Sequence, residues 1–310
     1  MARKIPPLEA QLDRLAELRA QTPTPEGRAE VSRYLNHKMN LLAAKAARIA
    51  GEWEAADLTP GLVAAFERFL VNGAATDKRC AAKIEILKTL CKLEHPSPAI
   101  FRRGLAYVQM EASWGGSVDT AAEVRALSAI GLSQTNDPDA LEQIVPLLLD
   151  PERDARIGAI RAIGGSGLAG DTLLLRLKAL SGDEPEVLGE CFAALLRATP
   201  EKSIDFVAQF LERPPEAAAE AAALALGESR LESAYDRLRE AFESKRTLSA
   251  RALLMGMALL RRETAIEYLL NLVRSGPDRS AAEAAAALAI FDQDPQLRQR
   301  LAEAQRARRT

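Results

Sequence analysis

The sequence predicts an all-α protein, a right-handed α-solenoid of stacked helical hairpins. Three observations carry that prediction. A short pattern, small-x-x-small-[Ile/Leu], recurs along the chain. The apolar half of the composition, 48% of 310 residues, comes mainly from Ala and Leu, while aromatic residues make up only 5%. Between the recurrences lie amphipathic segments with apolar residues near i, i+3, i+4 and i+7, each closed by Gly, Asp or Pro. A β-sandwich would draw instead on Val, Ile, Thr and aromatic residues.

The repeat is set by "ILKTL", "ALSAI", "AIRAI", "CFAAL", "AALAL", "MGMAL" and "AALAI". Their last residues are Leu90, Ile130, Ile163, Leu195, Leu226, Leu259 and Ile290, spaced by 40, 33, 32, 31, 33 and 31. A period near 32 holds two short helices and two turns. Here helix A is a segment such as "DALEQIVPLLLD" and helix B carries the pattern. A hairpin of this size cannot bury its own apolar face, so neighbouring hairpins must stack on it. Residues 1–58 are read as an N-terminal helical cap in which "AARIAG" is a diverged repeat end, residues 59–294 as the repeats, and 295–310 as a polar capping helix with a basic tail.

Glycines 164, 165 and 167 follow the anchor Ile163, where the end of a B helix is expected. They fit a helix stop, since glycine accepts the left-handed conformation that closes a last turn. A phosphate-binding loop would follow a strand, open a helix and carry Lys-Ser/Thr, which "GGSGLAGDT" lacks. The stretch "DPERDARIGAIRAIGGSGLAGDT", with Asp154, Arg156, Ala159, Ala162-Ile163-Gly164 and Gly167, resembles the bacterial HEAT repeats of the phycobilisome-lyase-like subgroup. That resemblance implies a HEAT-like superhelix over about residues 59–294, and its fold serves lyases, adaptors and scaffolds alike, so it implies no single activity.

Charge is unevenly placed. The whole chain carries −2, but residues 1–50 carry +4, residues 51–250 carry −9 and residues 251–310 carry +3. The acidic middle speaks against holding duplex nucleic acid through its phosphates. Cys80, Cys91 and Cys191 are too few and too separated for a disulfide framework and read as reduced thiols in a cytoplasmic protein. No run of eighteen apolar residues is present, and "MARKIPPLEAQLDRL" lacks the apolar stretch of an export signal, so no membrane partner is expected. His37 and His95 have no ligand or nucleophile at motif spacing, so neither a metal, a cofactor nor a hydrolytic triad is expected.

Two features are candidates for recognition. Positions −9, −5, −2 and +2 from each anchor share one face of the B helices. On the first four B helices this face reads Glu85, Lys88 and Lys92; Arg125 and Ser128; Asp154 and Arg161; and Glu186, Glu190 and Arg197. It is either a partner surface or an ordinary solvated face. Beyond Arg197 the same positions turn to Ala221, Leu224, Leu254, Met257, Ala285 and Leu288, which makes either an apolar groove or buried helices.

The second feature is the insertion "EASWGGSVDT", residues 111–120, which accounts for the interval of 40. Trp114 followed by Gly115 and Gly116 has the make-up of a recognition loop, since the indole offers a large rigid contact. Equally, Trp114 packs back on its own helices, with Asp119 or Thr120 capping the next helix and Glu123 completing a box.

"SWGGSVD" also resembles the Ser-Trp-Trp-Asp-Ser-Val-Asp stretch of HEAT-like alkylpurine DNA glycosylases. That resemblance implies a catalytic aspartate at Asp119 and a basic partner at Arg156, whereas the second tryptophan of the motif is Gly115 here. An Asp-x-Arg at the start of a B helix also has a structural use, pairing successive repeats. The reading of the sequence as a whole is a non-catalytic protein-binding scaffold or adaptor that uses Trp114, Gly115, Gly116, Asp119, Arg125, Arg156 and Arg161. DNA binding or glycosylase chemistry is the enzymatic alternative.

Overall fold

A computed structural model of the chain describes residues 7–167, 170–244 and 249–309. Leu168 and Ala169, within the glycine-rich stretch read from the sequence, lie outside the described residues. The described residues are helical apart from one two-stranded hairpin and the connections, as expected for an all-α repeat protein.

The chain forms two compact units, residues 1–166 and 167–310. The first contains α1 (Leu8–Ala20), α2 (Pro25–Leu35), α3 (Asn40–Glu52), α4 (Thr59–Leu70), the single turn α5 (Gly73–Thr76), α6 (Ala81–Lys92) and α7 (Pro98–Leu105). It continues with β1 (Met110–Ser113), β2 (Gly116–Asp119), α8 (Ala122–Ser133), α9 (Ala140–Ile144) and α10 (Arg153–Ser166). Helices α3, α6, α8 and α10 are the B helices, and each packs on the next. The segment before residue 58, expected as a cap, belongs to this unit, with α3 lying against α6.

The second unit holds α11 (Asp171–Ser181), α12 (Pro185–Ala198), α13 (Pro200–Ala208), α14 (Glu216–Ser229), α15 (Glu232–Glu243), α16 (Ala250–Leu260), α17 (Glu263–Ser275), α18 (Asp278–Ala289) and α19 (Pro295–Arg309). Its B helices α12, α14, α16 and α18 stack in the same way, and α19 lies against α17 and α18.

Alanine and glycine at the B–B contacts set how close the backbones come. A Cβ on Gly158 of α10 would stand 2.3 Å from the Ala126 Cα of α8, and one on Gly227 of α14 would stand 2.3 Å from the Gly256 carbonyl oxygen of α16. This explains the Ala-rich composition: helices stacked this closely have no room for larger side chains at the crossing.

Of the anchor residues, Leu90, Ile163, Leu195 and Leu226 are fully buried. Ile130 and Leu259 are half-buried, and Ile290 is 45% exposed because it sits past the end of α18 as its C-cap. Burial in α18 falls on Leu288 instead, so the pattern slips by two residues in the last repeat. Of the late apolar positions, Leu254, Met257 and Leu288 are buried and serve the core, Ala221 and Ala285 are half-buried, and Leu224 is exposed.

Helix α10 runs through Gly164 and Gly165 to Ser166, and Gly167 follows at φ +63°. A left-handed residue immediately after a helix is the stop that the sequence predicts.

Candidate functional site

The insertion at 111–120 folds as a β-hairpin and not as an irregular loop. Met110 pairs with Asp119, Glu111 with Val118, Ala112 with Ser117 and Ser113 with Gly116, leaving Trp114 and Gly115 as a two-residue turn. Gly115 has φ +95°, a conformation that glycine takes without steric cost, and no atom lies within 4 Å of where its Cβ would be. The Trp114 side chain stands fully in water, with a relative exposure of 106%. It does not pack back on its helices. Met110, Val118 and Val108 are also exposed on or beside the hairpin.

An isolated two-stranded hairpin is marginal in water, and this one is held by its base. The Asp119 carboxylate accepts the amides of Gln109 (3.1 Å) and Ala121 (2.9 Å) and pairs with Arg125 Nη1 at 2.7 Å. Arg125 spans onward, with Nε and Nη2 reaching the two Asp150 oxygens at 2.7 and 2.9 Å and Nη1 donating to the Tyr107 carbonyl at 3.0 Å. Burial alone would raise the Asp119 pKa, but the two amides and the guanidinium together hold it below the usual carboxylate range. Arg125 is raised for the converse reason: its two carboxylate partners outweigh the burial that would lower it.

Arg125 is therefore not part of an open partner face. It is buried, as is Ser128 beside it. Arg156 is buried as well and donates Nη1 to the carbonyls of Asp150 (2.8 Å) and Pro151 (3.0 Å). The Asp-x-Arg of α10 thus ties the helix to the connection before it. Arg161, Lys88 and Lys92 remain exposed on their B helices, and Lys88 is 2.8 Å from Glu123. That pair leaves the expected capping box unformed: Glu123 turns to Lys88, and the Thr120 hydroxyl turns to Glu111 (2.7 Å).

The sequence reading missed a second layer of the base. Asp77 and Lys83, both 0% exposed, pair at 2.9 Å. Asp77 also accepts the first-turn amides of α6 at Ala82 (2.9 Å) and Lys83 (3.1 Å) and the Asn40 side-chain amide (3.0 Å). Lys83 Nζ further donates to the Phe69 carbonyl at 3.0 Å and lies 5.1 Å from the centre of the Tyr107 ring. Gln109 links this layer to the hairpin, donating Nε2 to the Asp77 carbonyl (2.9 Å) and to Glu111 (2.7 Å). Glu111 in turn accepts the Arg79 amide at 2.6 Å.

The connection from α4 to α6 takes left-handed conformations at Asn72, Arg79 and Cys80, with φ 52°, 56° and 54°. Such residues cost about 1–3 kcal/mol each and persist only where the surroundings hold them. Two signals point to this base in the sequence: an acidic residue shortly before an apolar-periodic helix at Asp77, and alternating short segments on either side of Trp-Gly-Gly.

The arrangement presents an indole on a stalk whose base engages both oxygens of Asp119, Oδ1 by two backbone amides and Oδ2 by Arg125. Asp119 and Arg156 are linked through the Asp150 segment, while Trp114 stands at the far end of a four-residue strand from Asp119. A cavity of ≈ 440 Å³ in the second unit is lined by Ala258, Ile266, Ile290, Phe291 and Leu297 and by none of these residues. Among the described residues no group of three His, Cys, Asp or Glu side chains is placed to hold a metal ion. No helix among them is long and apolar enough to cross a membrane.

No protein-family model matches the chain, and no curated protein matches it. Among solved structures the chain is similar to human deoxyhypusine hydroxylase in complex with glycerol. The likeness spans 94% of this chain and 92% of that one, at 16% identity and a TM-score of 0.32. By its name that neighbour is a hydroxylase, an enzyme, which corrects the sequence-based expectation of a chain without catalysis: helical repeats of this kind are no sign of a missing activity. At that distance no substrate or site passes from the neighbour to this chain.

Proposed function

We propose that this chain is a protein-binding helical scaffold that presents the 110–119 hairpin to a partner, with Trp114 as the residue that enters the partner's surface. The observation that supports this reading is the contrast between tip and base. Trp114 is wholly solvated, yet the strands beneath it rest on two buried ionic layers, Asp119–Arg125–Asp150 and Asp77–Lys83. Buried ion pairs contribute little net stability over apolar packing but fix geometry. A fixed, solvated indole loses little freedom on binding, and tryptophan is enriched among the residues that dominate interface energies. Gly115 and Gly116, with no side chains, keep the tip narrow around the indole.

The test is Trp114→Ala in the full chain. Partner capture should weaken by about 2 kcal/mol or more, roughly thirtyfold, as for a central aromatic contact. The melting temperature should hold, because an exposed substitution changes stability by no more than about 0.5 kcal/mol. A large fall in melting temperature would place the ring in the core and remove the proposal.

A further inference from the structure

Helix α11 of the second unit is inverted. The other A helices of that unit turn charge to water: α13 exposes Glu201 and Asp205, α15 exposes Asp236 and Arg239, and α17 exposes Glu263 and Arg274. On α11 the exposed side chains, apart from Ser181 at its end, are Leu173, Leu177 and Leu180, at 70, 66 and 55% exposure. Its charged residues are turned the other way. Lys178 is buried and pairs with Asp183 at 2.6 Å, and Asp171 is buried. Arg176 lies along the flank, 4.9 Å from the centre of the Phe206 ring, with Nη2 donating to the Lys202 carbonyl at 2.8 Å.

The three leucines are not the rim of the core. At 3.6 residues per turn they stand about 140–160° around the helix from Leu175, which is fully buried, while Arg176 on the flank is the residue turned to α13. Exposed leucines scattered singly are ordinary. Three at i, i+4 and i+7 make one seam, the spacing with which helices pair in a coiled coil. A helix that buries a lysine and an aspartate and solvates its leucines runs against the normal order of burial, and the order is restored once an apolar surface covers the seam.

The charges beside the seam select among the surfaces that could cover it. Helix α11 exposes no Lys or Arg, and the next exposed charges along the chain are Glu184 and Glu186. An anionic membrane surface repels carboxylates and binds helices through cations. An unrelated protein helix would find no exposed charge or hydrogen-bonding group on the seam by which to be chosen. A second copy brings the same three leucines at the same spacing, so one patch answers itself across a two-fold axis. Antiparallel pairing about Leu177 sets Leu173 of each copy against Leu180 of the other. It also holds Glu184 and Glu186 of the two copies at opposite ends of the seam, where parallel pairing would place them side by side.

We propose that the chain self-associates through α11, two copies meeting antiparallel with their Leu173, Leu177 and Leu180 interleaved. The seam is short and belongs with the small interfaces, under about 1,200 Å², whose partners exchange, so the dimer forms and dissociates with concentration. The hairpin at 110–119 takes no part in it.

Sedimentation equilibrium of the full chain from about 1 to 200 µM should show a monomer passing to a dimer. Leu173→Glu/Leu177→Glu should weaken that association at least about tenfold, because it sets four carboxylates into an apolar seam. The melting temperature of the monomer should hold, since both positions are exposed and Glu is as good a helix former as Leu. Trp114→Ala should leave the dimer unchanged. Under mild oxidation Leu177→Cys should give a covalent dimer, and a mixture of Leu173→Cys with Leu180→Cys should crosslink in preference to either alone. The parent chain is the control, with Cys80 and Cys191 buried and Cys91 half-buried.

A chain that stays monomeric across that range overturns the proposal, as does a dimer indifferent to the two glutamates or one lost with Trp114→Ala. Preferential crosslinking of Leu173→Cys with itself overturns the antiparallel arrangement, and a large fall in monomer melting temperature with Leu173→Glu/Leu177→Glu would place the leucines in the core. A monomer that floats with phosphatidylserine vesicles, and ceases to do so with the two glutamates, overturns it in favour of a lipid surface. None of these results touches the reading of Trp114.

Discussion

Lys83→Met is the substitution that tests the base of the hairpin most directly. Methionine keeps the length and apolar stem of lysine but removes the ammonium, which sits 2.9 Å from Asp77 and 3.0 Å from the Phe69 carbonyl in a site with no solvent exposure. The Asp77 carboxylate would be left buried without its cation. Breaking one partner of a buried pair costs about 3–5 kcal/mol, against a median of about 0–1 kcal/mol for a surface pair. For a unit of this size each kcal/mol lowers the melting temperature by about 2–4 °C, so the fall should be about 6–20 °C.

Calorimetry with urea titration reads the change, and Asp77→Asn/Lys83→Met supplies the second arm. Removing the stranded charge as well should recover part of the loss, with a coupling of about 1.5 kcal/mol or more. A loss under about 1 kcal/mol for Lys83→Met, or simple additivity in the double variant, would mean that water or a shifted side chain answers the carboxylate. The hairpin base would then not be a rigid mount.

Other outcomes follow from the same structure. Gly158→Ala gains about 1 kcal/mol in helix propensity. Its Cβ, however, meets the Ala126 backbone at 2.3 Å, so urea titration should show a net loss of about 1–3 kcal/mol. Asp119 and Glu111 have folded-state pKa values below their unfolded ones, so their contribution is present above the ordinary carboxylate pKa of about 4 and is lost as pH falls through the lowered values. Stability measured from pH 5 downward should decline, and Asp119→Asn should flatten that part of the profile. Burial raises the thiol of Cys80 to about 11 and those of Cys91 and Cys191 to about 12. A disulfide reagent at pH 8 should therefore label the native chain slowly and the urea-unfolded chain at once.

The sequence by itself determined the class of fold. Its Ala- and Leu-rich B segments, returning every thirty-odd residues, have the period of a helix pair, and a helix pair that cannot cover its own apolar stripe must stack. The helix end at Gly167 was legible because a left-handed stop is a local property of backbone sterics, although Gly164 and Gly165 before it stay helical. An interruption of the repeat at Trp114-Gly115-Gly116 was legible too, since a tryptophan beside two glycines breaks the pattern around it. Local periodicity also reached its limit in the last repeat, where Ile290 fits the pattern but lies past the end of α18.

What only the tertiary structure decided was which charged residues face water. Arg125 and Arg161 fall on the same expected face of successive B helices, at −5 and −2 from their anchors, yet Arg125 is closed in by Asp119 and Asp150 while Arg161 is exposed. That difference comes from residues 25 positions downstream of Arg125 and from the insertion before it. The pairing of Asp77 with Lys83, and the contact of both with Gln109, likewise depends on one connection folding over another, and desolvation is a property of the assembled neighbourhood that a linear pattern does not contain. The strands were hidden for a related reason. Four-residue segments have little intrinsic preference for a hairpin, and this one persists because a buried ionic base holds its two ends at pairing distance.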